Sequence, residues 1–359
     1  MTGMVRPVQI GRVTINPNLF VAPMAGYTDL PYRRIVRELG GAGLVYTELI
    51  SCHALVRLRR KTELLIATTP DEHPLAMQIF GSDPERMAAS ASVLEEYGAD
   101  IIDINMGCPV AKVVKTGGGA VLMREPVVAE AIVRACVRAV SVPVTVKIRA
   151  GWDERSRNAV EFARRMADAG AAAIAVHART RAQGYSGRAD WGLIAEVVQA
   201  VPVPVIGNGD VVDGPSARAL LEQTGCAGVM IGRAAVGAPW LFRAVEQYLA
   251  TGEEVADPGP RERGELALRH FRYLCELYGE RTACLHIRRI ACGYARGLPG
   301  AREFRTRVVQ VASAAEVRAV IEEFFWLSGR SDGSDLLDRS EVTELSDSSD
   351  GKVLGGAYA

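Results

Sequence analysis

The sequence predicts an α/β fold, a TIM (β/α)8 barrel followed by a small all-helical domain. Three observations carry that expectation. Between Leu19 and Arg233 short β-rich runs alternate with helical stretches, the pattern of a parallel sheet covered by helices, and eight such strands can be counted. After Trp240 the strand signals stop and only helical stretches follow. No strand leads into a GxGxxG turn, which argues against the doubly wound alternative.

In chain order, strands are expected over 19–24, 44–49, 75–80, 101–105, 142–148, 174–177, 203–207 and 228–231. Helices between them include 84–97, 126–140 and 215–223. Pro84, Pro126 and Pro215 suit a first helical turn, and Gly98, Gly170 and Gly225 suit left-handed helix closures. The barrel is expected to fill 1–245, followed by a linker over 246–260 that contains the string GEEVADPGP. Helices over 262–278, 282–296, 301–311 and 314–327 would build a domain spanning 261–328. Its stripe of Leu266, Phe271, Leu274 and Leu277 reads as internal packing rather than a ligand site. Residues 329–359 hold too little apolar surface to fold and are expected to be a disordered acidic tail.

A hydrophobic fraction of 48% supports a sizeable core. No run of eighteen apolar residues occurs and the first residues lack a signal-peptide pattern, so a cytoplasmic protein without a membrane span is expected. The seven cysteines are odd in number and include no CxxC spacing, which argues against a disulfide framework and against a metal site. The formal net charge is zero, but residues 281–318 hold eight arginines against Glu303 and Glu316. Residues 329–359 then hold seven acids against three bases. Such a basic run is more often a solvated helix face than an RNA contact.

The stretch 101–123 holds the strongest chemical signal. Ile101, Ile102 and Ile104 belong in a buried parallel strand, and Asn105 and Cys108 follow at its carboxyl end, where α/β folds place their chemistry. A lone cysteine is usually a small buried hydrophobe. Between Gly107 and Pro109, in a turn at a strand's carboxyl end, it is better placed to present a thiol. The loops GNGDV (207–211) and IGRAAVG (231–237) have the composition of a barrel phosphate site, with Gly209, Gly232 and Arg233 as its holders. Lys147 sits in the apolar string VPVTVKI, where an unpaired ammonium is expensive and a partner is expected.

APMAGYTDLPYR (22–33), AMQIFG (76–81), DINMGCP (103–109), VKIRAGW (146–152), VHARTRAQGY (176–185), GNGD (207–210) and IGRAAVGAPW (231–240) occur in one order with barrel-like spacing. Together they resemble the tRNA-dihydrouridine synthase family, over most of residues 10–328, and most of all its bacterial B type. The resemblance implies FMN in the barrel mouth, held by Asn208, Gly209, Asp210, Gly232 and Arg233. It places Lys147 as the positive charge near the flavin, Gln78 toward the ring, backbone groups of Pro23, Met24 and Ala25 along its other side, and His177 near flavin and substrate.

The implied reaction is reduction of a tRNA uridine to 5,6-dihydrouridine. NADPH reduces the flavin, hydride passes to uracil C6, and Cys108 supplies the proton to C5 from the opposite face. Asn105 would orient the uracil, Arg179 and Arg181, with Gln183 and Tyr185, would reach RNA or the target base, and Arg288 and Arg289 would hold the tRNA backbone. A monomer is expected. Two departures stand out: Ile290 and Gly293 occupy positions where many relatives have histidine and tryptophan, and Ala178 replaces a common glycine. Two other readings stay open, an FMN barrel reducing a small pyrimidine or enone, and a phosphate- or RNA-binding module without turnover.

Overall fold

The structure, a computed structural model, describes residues 4–55 and 59–327; the expected acidic tail lies outside the described residues. A hairpin of β1 (Val8–Ile10) and β2 (Val13–Ile15) precedes the barrel. The barrel then runs β3 (Leu19–Val21), α1 (Leu30–Leu39), β4 (Val45–Tyr46), β5 (Ile50–Ser51), α2 (Cys52–Leu55), α3 (Arg60–Ile66), β6 (Leu75–Phe80), α4 (Pro84–Glu96), β7 (Ile101–Asn105), α5 (Ala111–Val114) and α6 (Pro126–Ala139). It continues through β8 (Val144–Arg149), α7 (Ala159–Asp168), β9 (Ala173–His177), α8 (Trp191–Ala200), β10 (Val205–Asn208), α9 (Gly214–Thr224), β11 (Gly228–Ile231) and α10 (Leu241–Thr251). Four helices follow: α11 (Pro260–Tyr278), α12 (Glu280–Tyr294), α13 (Ala301–Val308) and α14 (Ala314–Leu327).

All ladders from β3 through β11 are parallel, in the order β3-β11-β10-β9-β8-β7-β6-β4, with β5 extending the β4 edge along β6. A parallel bridge from Phe20 to Leu44 and the Val21 N–H bond to Leu44 O join the two ends, so the barrel closes as expected. The strand expected over 44–49 is split into β4 and β5, and three other differences from the expected boundaries follow prolines. β8 and β10 each begin after Pro143 and Pro204, which have no N–H for the ladder, and β3 stops before Pro23. Residues 246–251, expected in the linker, are the second half of α10, which Gly252 closes at φ 80°.

Strand residues divide cleanly between two packed layers. Leu75, Met77, Ile79, Ile102 and Ile104 join the cluster beneath the surrounding helices. Ala76, Ile101, Ala173, Ala175, Ile206 and Met230 fill the barrel interior, where Val8, Ile10 and Ile15 of the hairpin pack with them. That hairpin, absent from the sequence expectation, plugs the amino-terminal end and leaves the carboxyl end as the open mouth.

The helical region has its own core, built from Leu266, Phe271 and Leu274 on α11 against Ile287, Ile290 and Tyr294 on α12 and Phe304 and Phe325 beyond. Ile290 is thus a core residue of this domain. Gly293 is where the domain backs onto the barrel: a Cβ there would stand 2.7 Å from Gly237 Cα. No larger residue fits without separating the two. Arg34 with Glu276 at 2.8 Å and Arg269 with Glu38 at 3.2 Å tie α1 to α11 at the rim.

Candidate active site

Strand register builds the mouth in layers. Gln78, Asp103 and Thr145 pair side by side across β6, β7 and β8. One step up, Asn105 pairs with Lys147, and above that Arg149 pairs with His177, which pairs with Asn208. Successive inward residues of a parallel strand lie two apart, so polar side chains at 103 and 105, and at 145, 147 and 149, all face the interior. Of these, Gln78, Asn105, Lys147, Arg149, His177 and Asn208, together with the loops after β3, β7, β10 and β11, line a cleft of about 820 Å³.

Cys108 follows β7 in a turn held by Asn105, whose Oδ1 accepts the N–H groups of Gly107 at 3.2 Å and Cys108 at 2.8 Å. The Cys108 thiol lines the cleft. Burial pushes its pKa up, against a smaller pull from a backbone hydrogen bond and from Arg149 and Lys147, so it stays protonated at neutral pH. Lys147 Nζ donates to Asn208 Oδ1 at 2.9 Å. Burial first and Arg149 second pull the ammonium down to about 7, with Asp103 partly opposing them. His177 is held far below its ordinary value by burial and then by Lys147 and its arginine neighbours, and is neutral.

On the far wall, Gly209 at φ 129° and Gly232 flank Arg233 and Asp210. A Cβ on Gly209 would meet that of Ala189 at 2.7 Å, so only glycine lets this backbone pass. Asp210 is held at φ 59°, the one described non-glycine residue with positive φ, by the Ala189 N–H at 2.7 Å and by Arg179. Burial works to raise its pKa, but those bonds outweigh it and keep it ionised. The Arg233 side chain is 55% exposed, 3.5 Å from Asp210. The short 3₁₀ turn Arg233–Ala235 opens on N–H groups that the turn itself cannot pair.

Every residue expected to hold the cofactor therefore lines one cleft, as do Cys108 and Asn105. The expected RNA-binding arginines do not. Arg179 is 2% exposed; its Nε and Nη2 bond Ser186 O, Gly187 O and Asp210, while its Nη1 is buried without a hydrogen-bond partner. Arg181 lies over the Trp152 ring at 4.5 Å. Arg288 donates twice to Val311 O, at 3.0 and 2.8 Å, within the helical domain. Arg289 donates to Gly26 O and lies over the Tyr27 ring, bracing the loop after β3. In each case a carbonyl, carboxylate or ring of the fold engages part of the guanidinium.

Three lining or supporting residues were not anticipated. Arg149 donates to Gly107 O at 2.7 Å and to Thr180 O and Gly184 O, joining the loops after β7 and β9. Asp103 lies fully buried below Asn105. Exposed Arg296 reaches the cleft from the helical domain. The signal for the first two was present: a charge inside an apolar strand, the same anomaly that marks Lys147, at a spacing of two from a site residue.

Glycine turns after the seventh and eighth strands, facing a reactive side chain across the carboxyl end, define a cofactor-binding enzyme of the (β/α)8 barrel class. The pattern of the family described as dihydrouridine synthase (Dus) matches residues 20–327, and the chain belongs to that family. It is 42% identical over 318 residues to a probable tRNA-dihydrouridine synthase 1 of Synechocystis sp., covering 89% of each chain. It is also 42% identical over 318 residues to tRNA-dihydrouridine synthase B of Pseudomonas aeruginosa, covering 89% of this chain and 96% of the other, in keeping with the bacterial B type. Among solved structures, a morphinone reductase variant in complex with tetrahydroNAD superposes with a TM-score of 0.52 at 14% identity, over 73% of this chain and 94% of that one. Histamine dehydrogenase from Rhizobium sp. 4-9 gives 0.54 at 16%, over 68% and 48%. These two likenesses establish the barrel fold. No described helix is long and apolar enough to cross a membrane.

Proposed function

We propose that this chain reduces specific uridines of tRNA to 5,6-dihydrouridine in the cytoplasm, as a monomer, with FMN in the barrel mouth, NADPH as reductant and Cys108 as proton donor. The observation that carries the reading is a cleft-lining cysteine, whose burial favours the thiol, and a glycine-lined anion cradle in the same cleft.

The residues present suit FMN. The cleft volume lies in the range of cofactor pockets, roughly 300–1,000 Å³. Gly209 and Gly232 bring backbone close to where a phosphate would sit, and Arg233, 55% exposed with its guanidinium 4.8 Å over the Tyr185 ring, can add charge-assisted hydrogen bonds. Lys147 and Arg149 supply positive charge deeper in the mouth. When bound, FMN supplies the hydride that C6 of the uracil accepts.

The chain's own groups do the remainder. Asn105 and Gln78 each keep one amide N–H uncommitted after their internal bonds, available to ring oxygens. Cys108 Sγ gives its proton to C5, and Arg149 and Lys147 lower the energy of the thiolate left behind. Tyr185, 56% exposed at the rim with Arg233 and Arg149 over its ring, adds an aromatic edge along which an unstacked base can enter.

The test is to incubate the purified protein with FMN, NADPH and unmodified tRNA and to measure dihydrouridine by nucleoside mass spectrometry. Consumption of NADPH with a free pyrimidine or enone, and none with tRNA, would replace this reading with a small-molecule reductase.

A further inference from the structure

Asp103 is fully buried in the barrel wall, and the reaction proposed above gives it no task. Packing would be served by an apolar residue, as it is at Ile101 on the same face. A carboxylate buried without an ion-pair partner is expensive, and no described cation stands within ion-pair distance of this one. Its two oxygens are instead used directionally. Thr145 Oγ1 donates to Oδ1 at 2.6 Å, and Gln78 Nε2 donates to Oδ2 at 2.6 Å.

From Gln78 the bonding continues upward. Asn105 Nδ2 donates to Gln78 Oε1 at 2.8 Å, and Asn105 Oδ1 accepts the Gly107 and Cys108 N–H groups. An amide has a donor end and an acceptor end, so turning one amide reverses what it presents to the next. The two ends of this chain have fixed polarity: an ionised carboxylate only accepts, and a backbone N–H only donates. Every amide between them therefore has one allowed orientation.

We infer that Asp103 is a positioning residue that sets the polarity of the Gln78–Asn105 amide chain and through it holds the Gly107–Cys108 turn, so that the thiol faces the cleft. The importance of that thiol rests on the proposed function; the bonded chain does not. A proton on Oδ2 would present Gln78 with a donor. The Gln78 amide would then have to turn, setting its NH2 against the NH2 of Asn105, which the two backbone N–H groups forbid to turn in response. The titratable groups facing Asp103 are Lys147 on β8 and Tyr46 on β4.

The experiment compares Asp103→Leu and Asp103→Asn with the parent chain by three readouts: amide hydrogen exchange at Gly107 and Cys108, thermal unfolding, and flavin reoxidation by tRNA. In Asp103→Leu the Cys108 N–H should lose about tenfold of its protection, the worth of one hydrogen bond, and tRNA turnover should fall with it. Asp103→Asn can still accept from Gln78 while turning its own NH2 to Thr145, and should recover most of both. A merely structural role predicts that both variants lower Tm while protection at 107 and 108 stays at the parent level, and that result overturns the inference. If Asp103→Leu does not fold, Asp103→Ala and Asp103→Asn decide. Protection at Cys108 should fall in the alanine variant and stay near the parent level in the asparagine variant; in the parent it should hold as pH drops through about 6, because a proton on Oδ1 can be given to Thr145 Oγ1 while Oδ2 still accepts from Gln78. Parent-level protection in the alanine variant overturns the inference. Lost protection with undiminished tRNA turnover supports the positioning chain and instead removes Cys108 from the proposed reaction.

Discussion

Lys147 Nζ donates to Asn208 Oδ1 at 2.9 Å, linking β8 to β10 across the barrel mouth and leaving the ammonium with an uncharged partner. The bond satisfies one N–H without neutralising the charge, and burial, with Arg149 nearby, pulls the ammonium down to about 7. The folded chain thus binds fewer protons at this site than the unfolded chain over the window from about 7 to about 10.5. Stability from this site therefore rises with pH through that window, and at neutral pH and below the apoprotein bears the full penalty.

The first prediction concerns that lysine. Lys147→Met should raise the Tm of the apoprotein near pH 7, flatten its rise between pH 7 and 10, and weaken flavin binding. Calorimetry across pH and a flavin titration check it, and an unchanged pH profile would mean that Lys147 carries no strained charge.

Cys108 should be separable from cofactor chemistry. Cys108→Ala should retain flavin and accept electrons from NADPH, while stopped-flow reoxidation by tRNA falls by ~10²–10⁴-fold, the usual contribution of a general acid. Because burial raises this thiol, the parent rate should show no alkaline decline below about pH 8.5, the ordinary thiol range. Normal reoxidation in the alanine variant would exclude the thiol as acid.

Arg233 is the least restrained cation at the cradle. Arg233→Ala should weaken FMN binding by about 10- to 100-fold, the range for a hydrogen bond to a charged group, with little change in Tm because the side chain is mostly solvated. Equal affinity in parent and variant would place the phosphate elsewhere.

RNA affinity should follow the exposed arginines rather than all of them. Arg296→Ala should lower tRNA affinity and reduce the salt slope by about one counterion, since it rims the cleft. Arg288→Ala should instead lower Tm through the lost Val311 carbonyl bonds and leave the slope alone. Salt-dependent binding curves distinguish the two, and a reduced slope for Arg288→Ala at unchanged Tm would reverse the assignment.

Much of the molecule was legible before any coordinates. Alternating apolar runs, prolines in first helical turns and closing glycines place the eight barrel strands to within a few residues, and Cys108, Lys147, Gly209 and Gly232 announce themselves by residue type at strand ends. These are local features, because whether a run can be a buried strand or a strand can end in an anion-binding turn depends on the few residues involved. The inner face of each strand was less legible. β7 is buried on both sides, so no alternation separates Ile102 and Ile104 from Asp103 and Asn105. Arg233 was legible from its glycine-rich loop, but what the other arginines bond to was not. Arg179 is bonded to carbonyls at Ser186 and Gly187 and to Asp210, Arg288 to Val311, and Arg289 to Gly26 of the barrel. Sequence records how many guanidinium groups there are; whether one remains free for a ligand depends on which distant oxygen atoms the packed chain brings within hydrogen-bond reach, and only the tertiary structure decides that.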